Sequence, residues 1–529
     1  MGWDHGYYSS DYYTIGYYRE MAPNWLDFAA LVKGHRPPRS VEGEPFSYLD
    51  LGCGMGFGLC ILAALYPEGE FTGVDFLPDH IAHGQWLARR LGLANITFLE
   101  ADFLDLQRDP SPLRPAAAGA TTPGGVAQFH YVAAHGIATW VIEPVQRALF
   151  AVAAAALRPG GLFYCSYNTY PGWLPLQAFH QLVKVERQQG AGTAAKAALK
   201  RASERMLALV GPAEDPAALG LALPTLRAEM EKAPRRDQRY LSQEYANDGW
   251  QPLYVADMHQ RLMAHKLRPL ASATLPELFD DLLPAPLQAV VKAEQDPLVR
   301  ETLLDLGSNK AFRRDIFVNG QLHLNLAQRH QALGRLLLTL QAAPPMDNYT
   351  FTTSFGTLTA SHASCAGMEA RLTEAGPCSL EDLATSTNMP PEEAIRVVTL
   401  LLHANRIGLH RGAACEAARA SCQPFNAAVI ELMLEGAQLA NLASPLLGNA
   451  VSFTTIQAML TQGLEQGMEG ELLAVCVQAG LAAMGAADIK DAKGQLLEDP
   501  AAQLEAFQKL AADLQTTGLP MLRRLGVLA

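Results

Sequence analysis

The N-terminal third of the chain repeats one pattern, a short, nearly continuous apolar run followed by a longer segment of helical spacing. The runs fall at 48–51, 70–76, 96–99, 129–134 and 162–167, and helices are predicted between them, among them 59–65 and 79–91. Strands buried on both faces lose the strict alternation of a half-exposed sheet, so apolar runs alternating with helices predict a doubly wound parallel α/β sheet with ligands at the carboxyl ends of its strands. A helix over 24–32 and a Pro- and Arg-rich linker over 35–45 precede the first run.

After the fifth run the pattern changes. Residues 176–248 have helical composition, with helices expected over 194–210 and 223–232 around a Gly-Pro-Ala-Glu-Asp-Pro stop. Strand-like segments return only at 266–273, after an amphipathic helix over 255–264, and at 313–319. These are expected to be the sixth and seventh strands, an antiparallel pair that completes the sheet from beyond a helical insertion. Residues 109–128, dominated by Pro, Ala, Gly and Thr, read as a mobile surface loop.

Further along, Ser379-Leu380-Glu381-Asp382 is a capping box, and Asn388-Met389-Pro390-Pro391 turns the chain into a second helix with Ile395, Val398 and Leu402 on one face. With the strand-like 407–410 this outlines a winged helix. The last section, 427–529, is Leu- and Ala-rich with helical spacing throughout. The expected units are 1–175 (N-terminal lid and sheet core), 176–254 (helical insertion), 255–330 (completion of the sheet), 342–412 (winged-helix-like) and 413–529 (helical).

The chemistry gathers at the end of the first run. Asp50-Leu51-Gly52-Cys53-Gly54-Met55-Gly56 is a turn in which glycines admit close approach of backbone N–H groups to a ligand at a helix N-terminus. A dinucleotide fingerprint would need glycine where Phe57 stands, so that reading fits poorly. Asp75 ends the second run about twenty residues beyond the glycines, where a carboxylate can accept both hydroxyls of a ribose. The third run ends in Glu100-Ala101-Asp102-Phe103, the fourth in His135-Gly136, and Leu157-Arg158-Pro159-Gly160-Gly161 leads into the fifth.

The acid-x-Gly-x-Gly-x-Gly turn, the acids after strands two and three and the Leu-Arg-Pro-Gly-Gly turn resemble class I S-adenosylmethionine-dependent methyltransferases. The resemblance implies a Rossmann-like core binding S-adenosyl-L-methionine, with Asp50, Gly52, Gly54, Gly56, Asp75, Phe76, Asp102 and Phe103 at the cofactor and Asp102 facing the adenine amino group. His135 and Tyr18 join that set, Tyr18 as the last of a Tyr-rich segment (Tyr7, Tyr8, Tyr12, Tyr13, Tyr17, Tyr18) that could fold over the cofactor as a lid or pack an N-terminal helix onto the sheet. Segments 166–173, 240–253 and 312–318 resemble methyltransferases with an attached regulatory domain, a family that includes bacterial outer-membrane-protein lysine methyltransferases. His135 is a candidate proton acceptor or orienting group. Asn168, Tyr170 and Trp173, in the loop after the fifth run, are expected to wall an acceptor pocket with Trp140.

Composition narrows the partners. A formal net charge of −12, and Glu392 and Glu393 against a single Arg396 at the start of the second winged-helix helix, argue against nucleic acid. The longest conspicuous apolar run, 148–157, is about half of what a bilayer crossing needs, and the basic and apolar regions of a secretory leader are missing at the start, so a cytoplasmic location without membrane insertion is expected. Eight cysteines without a Cys-x-x-Cys pair read as reduced core thiols rather than metal ligands. The resemblance implies methyl transfer by in-line displacement to a protein lysine. A small-molecule or glycan methyltransferase, and a noncatalytic nucleoside-binding sensor or scaffold, are the competing readings, and a homodimer is left open.

Overall fold

The computed structural model describes residues 3–8, 15–113, 128–189, 195–232, 241, 244, 245, 247–342, 346–485, 496, 497 and 499–529. Tyr12, Tyr13, Tyr240 and most of the 109–128 loop lie outside the described residues.

Helix α1 (Pro23–Val32) leads to strand β1 (Phe46–Leu51), the glycine turn and helix α2 (Phe57–Leu65). Then come β2 (Gly69–Asp75), α3 (Pro78–Arg90), β3 (Ile96–Glu100), α4 (Phe103–Arg108), β4 (Phe129–Ala134), α5 (Glu143–Ala156) and β5 (Leu157–Asn168). All six residues of β1 are buried, as the continuous apolar run requires of a central strand. Strands β1 to β5 pair in parallel, and β6 (Arg268–Ser272) and β7 (Phe312–Val318) close the sheet antiparallel in the order β3-β2-β1-β4-β5-β7-β6. The fold is thus the seven-stranded class I arrangement, with its last two strands supplied from beyond the helical insertion. Strand β1 lies between β2 and β4, so the crevice outside its carboxyl end is the switch point where ligands bind in such sheets.

A buried ionic cluster anchors the late strands. Arg313 on β7 donates to Asp315 (2.9 Å), to Asp305 (2.7 Å) and to Glu301 (2.6 Å). Asp315 also accepts from the Tyr167 hydroxyl of β5 (2.5 Å) and lies 3.2 Å from His259 Nε2 on the helix Val255–Met263. Burial works to raise the pKa of its carboxyl, but the Arg313 guanidinium together with the His259 and Tyr167 contacts holds it below the usual carboxylate range.

The insertion contains helices Gln177–Gln189, Ala195–Val210, Ala218–Ala222 and Pro224–Lys232 around their own apolar cluster. Beyond the sheet, strands Leu337–Leu340, Cys378–Ser379 and Ile407–His410 form a small sheet flanked by Leu380–Ser386, which Ser379 caps, and Pro391–His403. Glu392 at the start of that last helix is engaged within the chain, by Arg329 and His330 (2.5 and 2.7 Å).

One feature departs from the helical reading of the last section. Strands Thr350–Thr353 and Gly356–Thr359 form one hairpin, and Asn441–Ser444 and Asn449–Ser452 form another within the section expected to be helical throughout. Short apolar stretches do not distinguish strand from helix by spacing, and the second hairpin turns at Pro445–Gly448. It packs near α2, where Tyr66 donates to the Gly448 carbonyl (2.8 Å) and Cys422 approaches the Ala64 carbonyl (3.4 Å). One apolar core accordingly runs from Tyr48 and Leu62 through Leu338 and Ile395 to Val429 and Leu525.

Candidate functional site

Gly52, Gly54 and Gly56 all have positive φ (83°, 55° and 81°), which turns the chain out of β1 and into α2. The requirement is sharpest at Gly52, where a Cβ would lie 2.5 Å from Ile137 Cγ1. Ile137 follows His135-Gly136 at the end of β4, so the loops after the two central strands meet across the crevice.

Two cavities open on either side of this turn and share Gly52. The first, about 550 Å³ of empty space, is lined by Asp75, Phe76, Asp102, Phe103, Ile137 and Val141 among others. The second, about 620 Å³, is lined by Asp50, the glycine turn, Tyr17, Tyr18 and His135.

In the first cavity Asp75 accepts from Gly54 N–H and Leu77 N–H, both at 3.0 Å, so the carboxylate also braces the turn. His80 Nδ1 lies 3.3 Å from Asp75, near enough for ionic attraction but not aligned for a hydrogen bond. Asp102 caps α4 by accepting from Leu104 N–H (2.6 Å), and its other oxygen is 2.8 Å from His5 Nε2.

In the second cavity Asp50 is 5% exposed, and its Oδ1 is buried with no hydrogen-bond partner. Burial, with the nearby Asp75 carboxylate adding to it, pushes its pKa up to about 7. An orphaned carboxylate oxygen beside a glycine cradle is a place for a cation. Across the cavity the rings of Tyr18 and His135 stack with centroids 3.6 Å apart, and His135 Nδ1 lies 2.9 Å from the Tyr164 hydroxyl. Burial, aided by Arg314, lowers the His135 pKa to about 3, so its ring is neutral at pH 7.

All the residues expected at the cofactor (Asp50, Gly52, Gly54, Gly56, Asp75, Phe76, Asp102, Phe103, His135 and Tyr18) line one cavity or the other. Asn168, Tyr170 and Trp173 line neither of these two cavities. Asn168 donates to buried Glu244 (3.1 Å), Trp173 packs on Trp250 and Tyr245, and Tyr170 packs on Tyr254 (5.0 Å). The loop after β5 leads directly into the insertion, so its rings serve that interface. Trp140 is buried and is likewise absent from both linings. His5, Ile137 and Val141 escaped the sequence reading. Ile137 and Val141 could have been found as the continuation of the loop after β4, whereas nothing local marks His5.

A seven-stranded sheet of this order, with a glycine turn after β1 and acids after β1 to β3 around the switch-point crevice, defines a class I methyltransferase. Residues 44–208 match a methyltransferase domain family, and residues 237–319 match the family described as predicted methyltransferase regulatory domain. The chain is an S-adenosylmethionine-dependent methyltransferase carrying such a regulatory domain. It is 29% identical to an uncharacterized protein of Synechocystis over the full length of both chains. It is 24% identical to one of Rickettsia prowazekii over 61% of this chain and 54% of that one. Among solved structures, PKMT2 from Rickettsia typhi in complex with AdoHcy superposes with a TM-score of 0.65 at 17% identity, over 97% of this chain and 99% of that one. Among the described residues no helix is long and apolar enough to cross a membrane.

Proposed function

We propose that the two cavities hold the two ends of S-adenosyl-L-methionine and that the acceptor is a lysine amine on a protein. The observation that carries the cofactor assignment is Asp50 Oδ1, buried and unpartnered beside the glycine turn, which suits the α-ammonium of an amino-acid end. Asp75 offers its carboxylate to ribose hydroxyls in the neighbouring cavity, Phe76 and Phe103 supply apolar walls there, and Asp102 keeps lone pairs for an exocyclic amine. The bound cofactor supplies a methyl group already activated by the adjacent sulfonium.

The chain's own task is to place a deprotonated amine. A lysine near pH 7 is almost wholly charged, and the apolar, aromatic wall of Tyr18 and His135 favours its neutral form by desolvation. With its conjugate acid near pKa 3, His135 is a weak base, so its part is to wall and orient the acceptor rather than to store its proton. The lysine reading is supported by the resemblance to outer-membrane-protein lysine methyltransferases and by the full-length likeness to Rickettsia typhi PKMT2. No second reading is favoured by a specific observation. Incubation with radiolabelled cofactor and native lysate tests it, because label in acid-stable methyl-lysine of a protein is the expected result, and label confined to dialysable metabolites refutes the protein acceptor.

A further inference from the structure

Residues 3–8 cross the carboxyl edge of the sheet and are held on two sides by different parts of the chain. On the cavity side, His5 Nε2 is 2.8 Å from Asp102 Oδ2, and the rings of Trp3 and Tyr7 pack on Phe76 with centroids 5.9 and 5.5 Å away. On the far side, Tyr8 N–H donates to Asn247 Oδ1 (2.6 Å) and Asp248 N–H donates to the Gly6 carbonyl (3.0 Å). The Asp248 carboxylate is itself paired with Arg187 of the first insertion helix at 2.9 Å. The strap makes its turn through two successive left-handed residues, His5 (φ 50°) and Gly6 (φ 78°). A Cβ on Gly6 would come within 3.0 Å of Asp248 Cβ, so glycine is what lets the strap seat there.

The strap roofs the first cavity and does not fill it. Asp4, His5 and Tyr7 line it from one side and Asp75, Phe103 and Ile137 from the other. Burial and the nearby Asp75 carboxylate push the Tyr7 pKa up, so its hydroxyl remains a donor at neutral pH. Asn247 and Asp248, in contrast, belong to the segment that matches the regulatory domain and line neither cavity.

We infer that residues 3–8 are a cofactor clasp latched by Asn247 and Asp248, with His5 and Tyr7 as positioning residues, so that the seating of the regulatory segment sets how long the cofactor is held. This rests on the cofactor assignment above. The latch lies almost the whole catalytic core away from the strap in sequence and outside the cavity that the strap covers, so a change at the latch reaches the bound molecule through the strap without touching it.

The test uses the full-length protein and S-adenosylhomocysteine, with affinity measured by calorimetry and dissociation by stopped-flow displacement, for wild type, His5→Ala, Gly6→Val and Asn247→Ala. Each substitution is expected to weaken binding by about three- to tenfold, the worth of a typical hydrogen bond, through faster dissociation. Gly6→Val combined with Asn247→Ala should be no worse than Gly6→Val alone, because both release the same latch. A purely structural role would shift the unfolding midpoint of the free protein without this shared effect on dissociation. Deleting residues 1–8 gives a second variant that removes the strap outright and should match Gly6→Val. Unchanged or tighter binding in Gly6→Val and in the deletion, with wild type binding normally, overturns the clasp. A wild-type protein that does not bind S-adenosylhomocysteine overturns the cofactor assignment, and the clasp with it.

Discussion

The imidazole of His135 and the phenol of Tyr18 lie face to face, centroids 3.6 Å apart and planes 22° from parallel. The pair joins the loop after β4 to the segment that precedes α1, and it walls the second cavity opposite Asp50. The contact is made by the ring, so Tyr18→Phe should keep kcat/KM within about twofold. Tyr18→Ala should lower it by about tenfold, since an aromatic pair contributes ~0.5–1.5 kcal/mol beyond its buried area. Steady-state kinetics on a methylated protein acceptor measure both.

Asp50 gives a pH dependence of definite sign. Its folded pKa of about 7 lies above the unfolded value of about 3.9, so the cofactor-free protein binds the extra proton between these values. Its contribution to stability is therefore lost as pH rises through that window. Asp50→Asn should flatten this trend in denaturation midpoints and stabilise the free protein by roughly 1–3 kcal/mol at pH 8. A cationic ligand group prefers ionised Asp50, so wild-type affinity for S-adenosylhomocysteine should rise from about pH 6 to 8 with release of a proton. Calorimetry in buffers of different ionisation enthalpy reads that proton, and the Asn variant should release none there.

Removing the Asp75 carboxylate should cost cofactor affinity by about 10- to 150-fold, equivalent to roughly 1.5–3 kcal/mol of charge-assisted bonding. Part of the loss comes through the turn, because Asp75 also holds Gly54 N–H. Calorimetry that finds Asp75→Ala unchanged would remove this residue from the site.

Arg313 is 4% exposed and holds three carboxylates, those of Glu301, Asp305 and Asp315. Arg313→Met removes the guanidinium that all three share and leaves Asp305 and Asp315 buried without it, so chemical denaturation should show a loss of about 3–5 kcal/mol.

The accessory regions also support the catalytic core. An enzyme of this class with large appended segments invites the view that deleting 342–529 spares cofactor binding. Here the helix Cys415–Leu434 and the hairpin after it pack on α2, the helix that follows the glycine turn. The Arg411 side chain, fully buried, bonds Glu42, Glu68 and the Leu65 carbonyl and lies over the Tyr66 ring, 4.3 Å from its centroid. Truncation after Gln341 should therefore unfold the catalytic core, seen as lost cooperativity in thermal melts, and not yield a competent fragment.

What the sequence determined by itself was local. Short, nearly continuous apolar runs such as 48–51 and 129–134, regularly alternating with helical segments, fit strands buried on both faces, and Gly52-Cys53-Gly54-Met55-Gly56 marks a sharp turn, so the sheet, its switch point and the acids at its strand ends were legible. The two late strands could also be placed across the insertion. The tertiary structure decided which side of a loop faces what. Asn168, Tyr170 and Trp173 look like pocket walls by composition, yet they turn toward Glu244, Tyr254 and Trp250, because the chain leaving β5 must pack its own insertion. His5 meets Asp102 and Tyr18 meets His135 across about a hundred residues of chain. Such pairings leave no trace in spacing, since they depend on which surfaces come together once the sheet has folded, and period and turn chemistry encode only the shape of each piece.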